Sequence, residues 1–170
     1  MRIETKRLIL REWCESDAGS YVTMSRDIGY NCFSPPGAYL VRDEDEAKSQ
    51  IRRRVALFEE REIGKFPIFL KEAGEFIGTC GLEPVEIDGR KEVELGYRLC
   101  LKYWGYGYAT EAAAAVLEYG FDKLELGKIF AFVLPQNRAS VKVLEKLGFR
   151  YEREFLHAGI PHRLYGISHR

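Results

Sequence analysis

Glu94-Leu95-Gly96-Tyr97-Arg98-Leu99-Cys100-Leu101-Lys102-Tyr103-Trp104-Gly105-Tyr106-Gly107-Tyr108-Ala109-Thr110-Glu111-Ala112 reads as a strand that passes through a two-glycine loop into a helix. The first N–H groups of a helix lack intrahelical partners and lie at the positive end of its dipole. Glycines at 105 and 107 tolerate positive φ and carry no Cβ, so a phosphate can approach those donors, and a pyrophosphate is the natural ligand. A tight strand-to-helix turn with no ligand would have the same composition. Two nucleotide readings fail on specifics. No lysine follows the second glycine as a Walker loop requires. Thr110 stands where the dinucleotide fingerprint needs a third small residue, and the strand ending at Val133-Leu134 is followed by Pro135-Gln136-Asn137 rather than a carboxylate.

Outward from this segment the pattern is strands first, then alternating helices and strands. Arg2 to Glu12 reads as one strand, Glu15-Ser16-Asp17 opens a short helix to about Ser25, and 27–41 is loop-like around Pro35-Pro36-Gly37. Asp43 with Glu46 is an N-cap signal for a helix carrying Ala47, Ile51, Val55 and Phe58 on one face. The Arg52-Arg53-Arg54 run within it has the look of an anion site, but such runs commonly form a solvated helix face. Phe66–Lys71 and Glu75–Leu82 flank an Ala73-Gly74 turn, and Glu92–Leu101 follows Asp88-Gly89. Tyr108–Phe121 has a stripe of small residues that lets a helix lie close to a sheet. Lys128–Leu134 is a strand, Asn137 caps a helix stopped by Gly148, and 149–156 with 162–167 can close an antiparallel pair. These elements predict an α/β (α+β) domain over 1–170, with a mixed, mostly antiparallel sheet of about seven strands and about four helices on both faces.

Composition narrows the function classes. The 170 residues are one domain's length and can bury about 70% of the unfolded surface, and 46% hydrophobic residues suffice to fill that core. The 26 basic and 26 acidic residues cancel, which argues against a nucleic-acid module. No apolar stretch approaches membrane-spanning length and Met1-Arg2-Ile3-Glu4 begins no signal peptide, so a cytoplasmic protein with no membrane partner is expected. Cys14, Cys32, Cys80 and Cys100 lack metal or redox spacing and read as small buried hydrophobes. His157, His162 and His169 show no zinc pattern, so no metal is expected. A free edge in the C-terminal strand pair would allow a homodimer.

Trp104-Gly105-Tyr106-Gly107-Tyr108-Ala109 resembles the Q/R-x-x-G-x-G/A acyl-CoA loop of the GNAT N-acetyltransferases, with Trp104 in place of the Gln or Arg and Tyr106 where Lys or Arg is common. Flanking segments resemble the Rim-type branch, which acetylates ribosomal-protein N termini. They are Glu94-Leu95-Gly96-Tyr97, Thr110-Glu111-Ala112, Thr5-Lys6-Arg7-Leu8-Ile9-Leu10-Arg11, Phe76-Ile77-Gly78-Thr79-Cys80-Gly81-Leu82, Asn137-Arg138-Ala139-Ser140 and Lys146-Leu147-Gly148-Phe149. The segment 27–41, which helps shape the acceptor site in that family, matches least.

The resemblance implies an N-acetyltransferase using acetyl-CoA on a primary amine, a protein N-terminal α-amine or a small amine. It places the cofactor against Leu99, Leu101, Trp104, Gly105, Tyr106, Gly107, Tyr108, Ala109, Thr110, Asn137 and Ser140. In that family fold the 92–101 and 128–134 strands splay apart around the pantetheine arm. A backbone N–H near Leu99 or Leu101 would polarise the thioester, and Asn137 would bond the arm from the other side. Ser140 would hydrogen-bond the departing sulfur, and Glu94, with Glu92 next in line on the same strand face, would be the general base. Read without the resemblance, Asn137 is a plain N-cap, Ser140 a surface helix residue and Glu94 a structural carboxylate. A polyamine or aminoglycoside acceptor, another acyl-CoA, and a non-catalytic acyl-CoA-binding module are the competing expectations. The Asp43-Glu44-Asp45-Glu46 cluster suits polyamines, or simply dresses a helix N-terminus.

Overall fold

In the computed structural model, which describes residues 1–169, eight strands form one sheet in the order β1-β2-β3-β4-β5-β6-β8-β7. The opening stretch expected as one strand is two, β1 (Arg2–Glu4) and β2 (Leu8–Arg11). The Thr5 hydroxyl accepts the Leu8 N–H (2.9 Å) while the Thr5 N–H donates to the Leu8 carbonyl (3.0 Å), which folds the chain back on itself. After a single 3-10 turn at Glu15–Asp17 come α1 (Ala18–Ser25), the one-turn α2 (Ile28–Asn31) inside the segment expected to be loop, and α3 (Glu44–Arg61). β3 (Lys65–Leu70), β4 (Phe76–Ile87) and β5 (Arg90–Leu99) form an antiparallel meander. β4 runs five residues beyond the expected Leu82 because its ladder with β5 continues from Leu82↔Leu95 to Ile87↔Arg90, closed by Asp88 and Gly89, both at positive φ. α4 (Tyr108–Glu118) and a π turn at Tyr119–Lys123 lead to β6 (Lys128–Val133). Then follow α5 (Arg138–Lys146), β7 (Arg150–His157) and β8 (Ile160–Ser168), with β7 at the sheet edge.

Directly opposed residues of an antiparallel pair share a face, so the β4–β5 register separates two surfaces. Thr79, Gly81 and Glu83 stand opposite Arg98, Gly96 and Glu94. On the reverse, Cys80 and Leu82 stand opposite Tyr97 and Leu95. α1, α2 and α3 cover the first face: the Tyr30 hydroxyl of α2 pairs with Thr79 (3.1 Å), and Arg98 donates to the Tyr30 carbonyl (3.1 Å). α4 and α5 cover the second. α4 buries Ala112, Ala113, Val116 and Leu117, the small-residue face anticipated from its sequence. Leu8, Leu10, Ile68, Ile77 and Ile129 are fully buried between the layers. Cys80 and Cys100 are buried, as expected of small hydrophobes; Cys14 and Cys32 are exposed, since each sits in a surface turn rather than on an inward strand face. No helix among the described residues is long and apolar enough to cross a membrane.

Asp43 caps α3 as its sequence position predicts, accepting the Glu46 N–H at 2.8 Å. Asp43→Ala should therefore lower stability by about 1 kcal/mol, read as a lower urea midpoint at unchanged slope; an unmoved midpoint would contradict the cap.

Candidate active site

β5 and β6 run parallel and register at a single pair, Glu94↔Phe130. Beyond that pair β5 keeps β4 on one side only, and β6 keeps β8 on one side only. A gap opens between them, bounded by Leu95–Leu99 and Ala131–Val133. Backbone polarity alternates along a strand. The Cys100 N–H turns to β4 and donates to the Ile77 carbonyl (3.0 Å), so the Leu99 N–H and C=O turn to the gap. The Leu99 carbonyl accepts the Trp104 indole N–H (2.9 Å), leaving the Leu99 N–H facing the gap. Leu101 belongs to a 3-10 turn, Leu101–Tyr103, and its N–H is donated to the Asp27 carboxylate (2.9 Å). Of the two backbone positions expected to face a ligand, Leu99 thus keeps a free donor and the Leu101 N–H is already spent.

The glycine loop has the predicted form. Gly105 and Gly107 both sit at φ +82°, where a side chain would be strained, and Gly107 is the N-cap of α4. Among the described residues no side chain caps that end, and the first intrahelical bond is Glu111 N–H to the Gly107 carbonyl (3.0 Å), so the N–H groups of Tyr108, Ala109 and Thr110 remain available to an anion. The loop is latched from the turn between β1 and β2. The Arg7 guanidinium donates to the Tyr106 carbonyl (2.9 Å) and to Glu111 (2.6 Å), and lies over the Tyr108 ring at 4.5 Å. Thr5 and the Arg7 backbone N–H also donate to Glu111, at 2.6 and 2.9 Å. Trp104 stacks on Phe33 from the 27–41 segment, and Tyr106 is exposed beside Tyr108.

Glu94 lies at the mouth of the gap on the α1–α3 face. Lys65 reaches it from β3 by lying across two strands: Lys65 is opposite Gly81, and Gly81 is opposite Gly96. A Cβ at Gly96 would come within 2.5 Å of Lys65 Cε, so the missing side chain makes room for the lysine stem. Its Nζ meets Glu83 at 2.6 Å and Glu94 at 4.0 Å. Burial pushes the Glu94 carboxyl above the ordinary range and the nearby Glu83 charge adds to this, while Lys65 and Arg98 pull the other way.

On the opposite face, Asn137 caps α5, accepting the Ser140 N–H on Oδ1 (3.1 Å). Its side-chain NH2 has no partner among the described residues. Ser140 Oγ donates to the Tyr97 hydroxyl (3.0 Å), which in turn donates to the Ser140 carbonyl (3.2 Å). Burial raises the Tyr97 phenol well above its usual value. The fold thus brings Leu99, the 104–110 loop, Asn137 and Ser140 around the gap, with Glu94 at its mouth. Glu92, opposite Val85, is two residues farther from the divergence. Tyr97, Lys65, Arg7 and Glu111 were not assigned roles from sequence, although Arg7 and Glu111 lie in motif segments and Tyr97 alternates with Leu95 and Leu99. Burial pushes the Cys100 thiol up to about 11, as befits a packing residue. Among the described residues no cluster of His, Cys, Asp or Glu could hold a metal ion.

The Glu111 latch has a pH signature. Partial burial opposes ionisation, but bonds from Thr5 and from the Arg7 backbone and guanidinium outweigh it and hold the carboxyl below its usual range. A carboxyl depressed in the folded state contributes stability above its unfolded value of about 4.3. That contribution disappears as pH falls through the lower folded value. Glu111→Gln should therefore cost about 1–3 kcal/mol at pH 7, with the gap to wild type closing on acidification below pH ~4. Denaturation curves across that range check it, and a gap independent of pH would contradict the latch.

Residues 7–150 match the family model described as an acetyltransferase (GNAT) domain. The N-acetyltransferase YoaA of Bacillus subtilis is 32% identical over 156 residues, covering 88% of this chain and 83% of YoaA. YkkB of the same organism is 45% identical over 83 residues, and the chain spans about half of that relative's length (49% of this chain, 48% of YkkB). Mycobacterium smegmatis RimJ, solved in complex with CoA-disulfide, superposes with a TM-score of 0.81 at 26% identity, covering 95% of this chain and 81% of RimJ. The parallel pair that registers once and then divides, the uncapped glycine turn at α4 and the family match over most of the sequence agree, and the chain belongs to the GNAT acetyltransferase family.

Proposed function

We propose that this acetyl-CoA-dependent enzyme transfers the acetyl group to a primary amine, an α-amine at a protein N terminus or on a small molecule, by direct attack in a ternary complex. The observation that carries this reading is the position of Glu94 at the point where β5 and β6 part, with an open gap beyond it. The residues present suit the cosubstrate. The free N–H groups of Tyr108, Ala109 and Thr110 would take the pyrophosphate, with the Gly105 and Gly107 turn, Trp104 and Tyr106 shaping the approach. The Leu99 N–H and the Asn137 side-chain NH2 would bond the pantetheine arm, Leu99 in place of a missing strand. Acetyl-CoA supplies an activated acyl group; the chain positions it and moves protons.

An α-amine of pKa ~7.8 is deprotonated at pH 7 for roughly 1 kcal/mol, whereas a lysine at ~10.4 costs about 4.6. This favours an α-amine. Glu94 would take the amine proton, directly or through water, and its elevated pKa brings it nearer the operating pH than an exposed carboxylate. The Leu99 N–H would face the oxygen on which negative charge builds. On the far side, Ser140 donates to the Tyr97 hydroxyl, and the Tyr97 proton, held by the Ser140 carbonyl when no ligand is bound, would swing from that carbonyl to the departing sulfur. A thiol of pKa near ~8.5 needs no stronger acid. No covalent enzyme nucleophile is required.

Glu94→Gln should lower kcat/KM by roughly 10²–10⁴ while leaving CoA affinity within a few-fold. In the wild type, activity falls as pH drops through the raised Glu94 value, above the 4.5 of an ordinary glutamate; in Glu94→Gln that limb is absent. Steady-state kinetics between pH 5 and 9 decide it. Unchanged turnover in Glu94→Gln would remove the base, and CoA binding with no turnover of any amine would support a binding module.

A further inference from the structure

The Arg52-Arg53-Arg54 run resolves into three different environments. Arg52 points outward and pairs with Glu15 at 2.8 Å. Arg53 is exposed and has no ion pair among the described residues. Arg54 turns inward, its guanidinium 5.8 Å from the ring centroids of both Trp13 and Tyr21, and donates to the Tyr21 hydroxyl (3.2 Å). Tyr21 passes its own proton to Gln50 Oε1 (2.7 Å). No carboxylate among the described residues comes within 4.0 Å of Arg54. A guanidinium has five donors, and this one, half-buried against aromatic rings, uses one on a neutral partner. A charge so placed is costly until it meets an anion.

What it faces is a cleft of about 330 Å³ whose wall includes Gln50, Arg53, Arg54, Lys65 and Glu83. Glu83 is paired with Lys65 at 2.6 Å, and although its charge also acts on Arg54, one carboxylate does not balance three cations; the same lysine leads on to Glu94 at 4.0 Å. The wall therefore carries two arginines and a lysine against one glutamate, and Glu94 lies just beyond it, behind Lys65. The acidic cluster that suggested a polyamine lies elsewhere. Asp43 is the α3 cap and Glu46 pairs with Arg42. Glu46 stands eight residues before Arg54, about 12 Å along the helix axis.

We propose that this cleft is an anion subsite of the acceptor, and that the amine presented to Glu94 carries a carboxylate close by which Arg54 binds and Arg53 attracts. It rests on the reading of Glu94 as the end of the acceptor path. The ligand chemistry is an amino carboxylate, supplied either by an acidic residue next to a peptide N terminus or by a free amino acid. The net positive charge of the wall disfavours polyamines.

The test uses the full chain saturated with CoA and two short peptides identical except for Asp or Asn at the second position, with free glutamate and spermidine as further probes. Calorimetry should show the Asp peptide binding at least about 10-fold more tightly than the Asn peptide, and spermidine not at all. Arg54→Gln should bring that ratio below about 2-fold. Arg54→Lys, which keeps the charge but loses the planar fork, should leave an intermediate ratio. Arg52→Gln, with the same charge loss on the same helix but outside the cleft, should retain it. Glutamate binding as tightly as the Asp peptide would make the source a small amino carboxylate; peptide binding alone would make it an acidic N terminus. Equal binding of the two peptides, a preference for spermidine, or a ratio that survives in both Arg54 variants would overturn the proposal. Acetyl transfer is followed separately. Preferred binding of the Asp peptide without transfer to it would defeat acetylation of such amines and leave the subsite standing, whereas transfer to both peptides with no binding preference would do the reverse.

Discussion

Two neighbouring parallel strands that touch at one register position and then part are the constraint on which the site depends. Once β5 and β6 separate beyond Glu94 and Phe130, each has backbone groups facing a gap. Unpaired backbone groups are tolerated only where solvent or a ligand can meet them, so the divergence itself creates a demand for an extended partner. Other contacts hold it open. Trp104 takes the Leu99 carbonyl and Asp27 takes the Leu101 N–H, which fixes the end of β5 against the 27–41 segment. Tyr97 and Ser140 tie β5 to α5 across the gap.

The two sides of the sheet then carry different chemistry. On one, Lys65 crosses the Gly81–Gly96 floor to meet Glu83 and Glu94, so that a lysine and two glutamates share a partly desolvated place. On the other, hydroxyls dominate. A buried carboxylate on one face and a hydroxyl pair on the other, separated by the strand that would bind the acyl arm, form an arrangement that would suit moving an acyl group from thiol to amine. The glycine turn contributes position more than chemistry. Its three free N–H groups would anchor one end of a long ligand, and the Arg7–Glu111 latch holds that turn in place from the β1–β2 turn.

Much of this was legible in sequence because it rests on local rules. Asn137 as a cap, Asp43 as a cap, positive φ at Gly105 and Gly107 and the small-residue face of α4 all follow from a few neighbouring residues. The division of Arg2–Glu12 into two strands was not legible, because it turns on one threonine hydroxyl bonding three residues ahead. Nor were the partners of Glu94. Strand alternation places Glu92 and Glu94 on one face but says nothing of which meets a lysine 29 residues earlier, nor that Gly81 and Gly96 would align to let it through. Tyr97 escaped notice for a similar reason, since its hydroxyl finds Ser140 only through the packing of α5 on the sheet. The inward turn of Arg54, alone of three consecutive arginines, follows from helix phase relative to a tertiary neighbour.

The central claim, that the β5–β6 gap and the α4 turn receive an acyl-CoA, is tested most directly by residue-resolved amide hydrogen exchange with and without CoA. The account predicts strong new protection at Leu99 and at Tyr108, Ala109 and Thr110, with Leu101 unchanged because its N–H is already bonded to Asp27. Exchange at Leu99 and the α4 N-terminus that is the same in the presence of saturating CoA would contradict it.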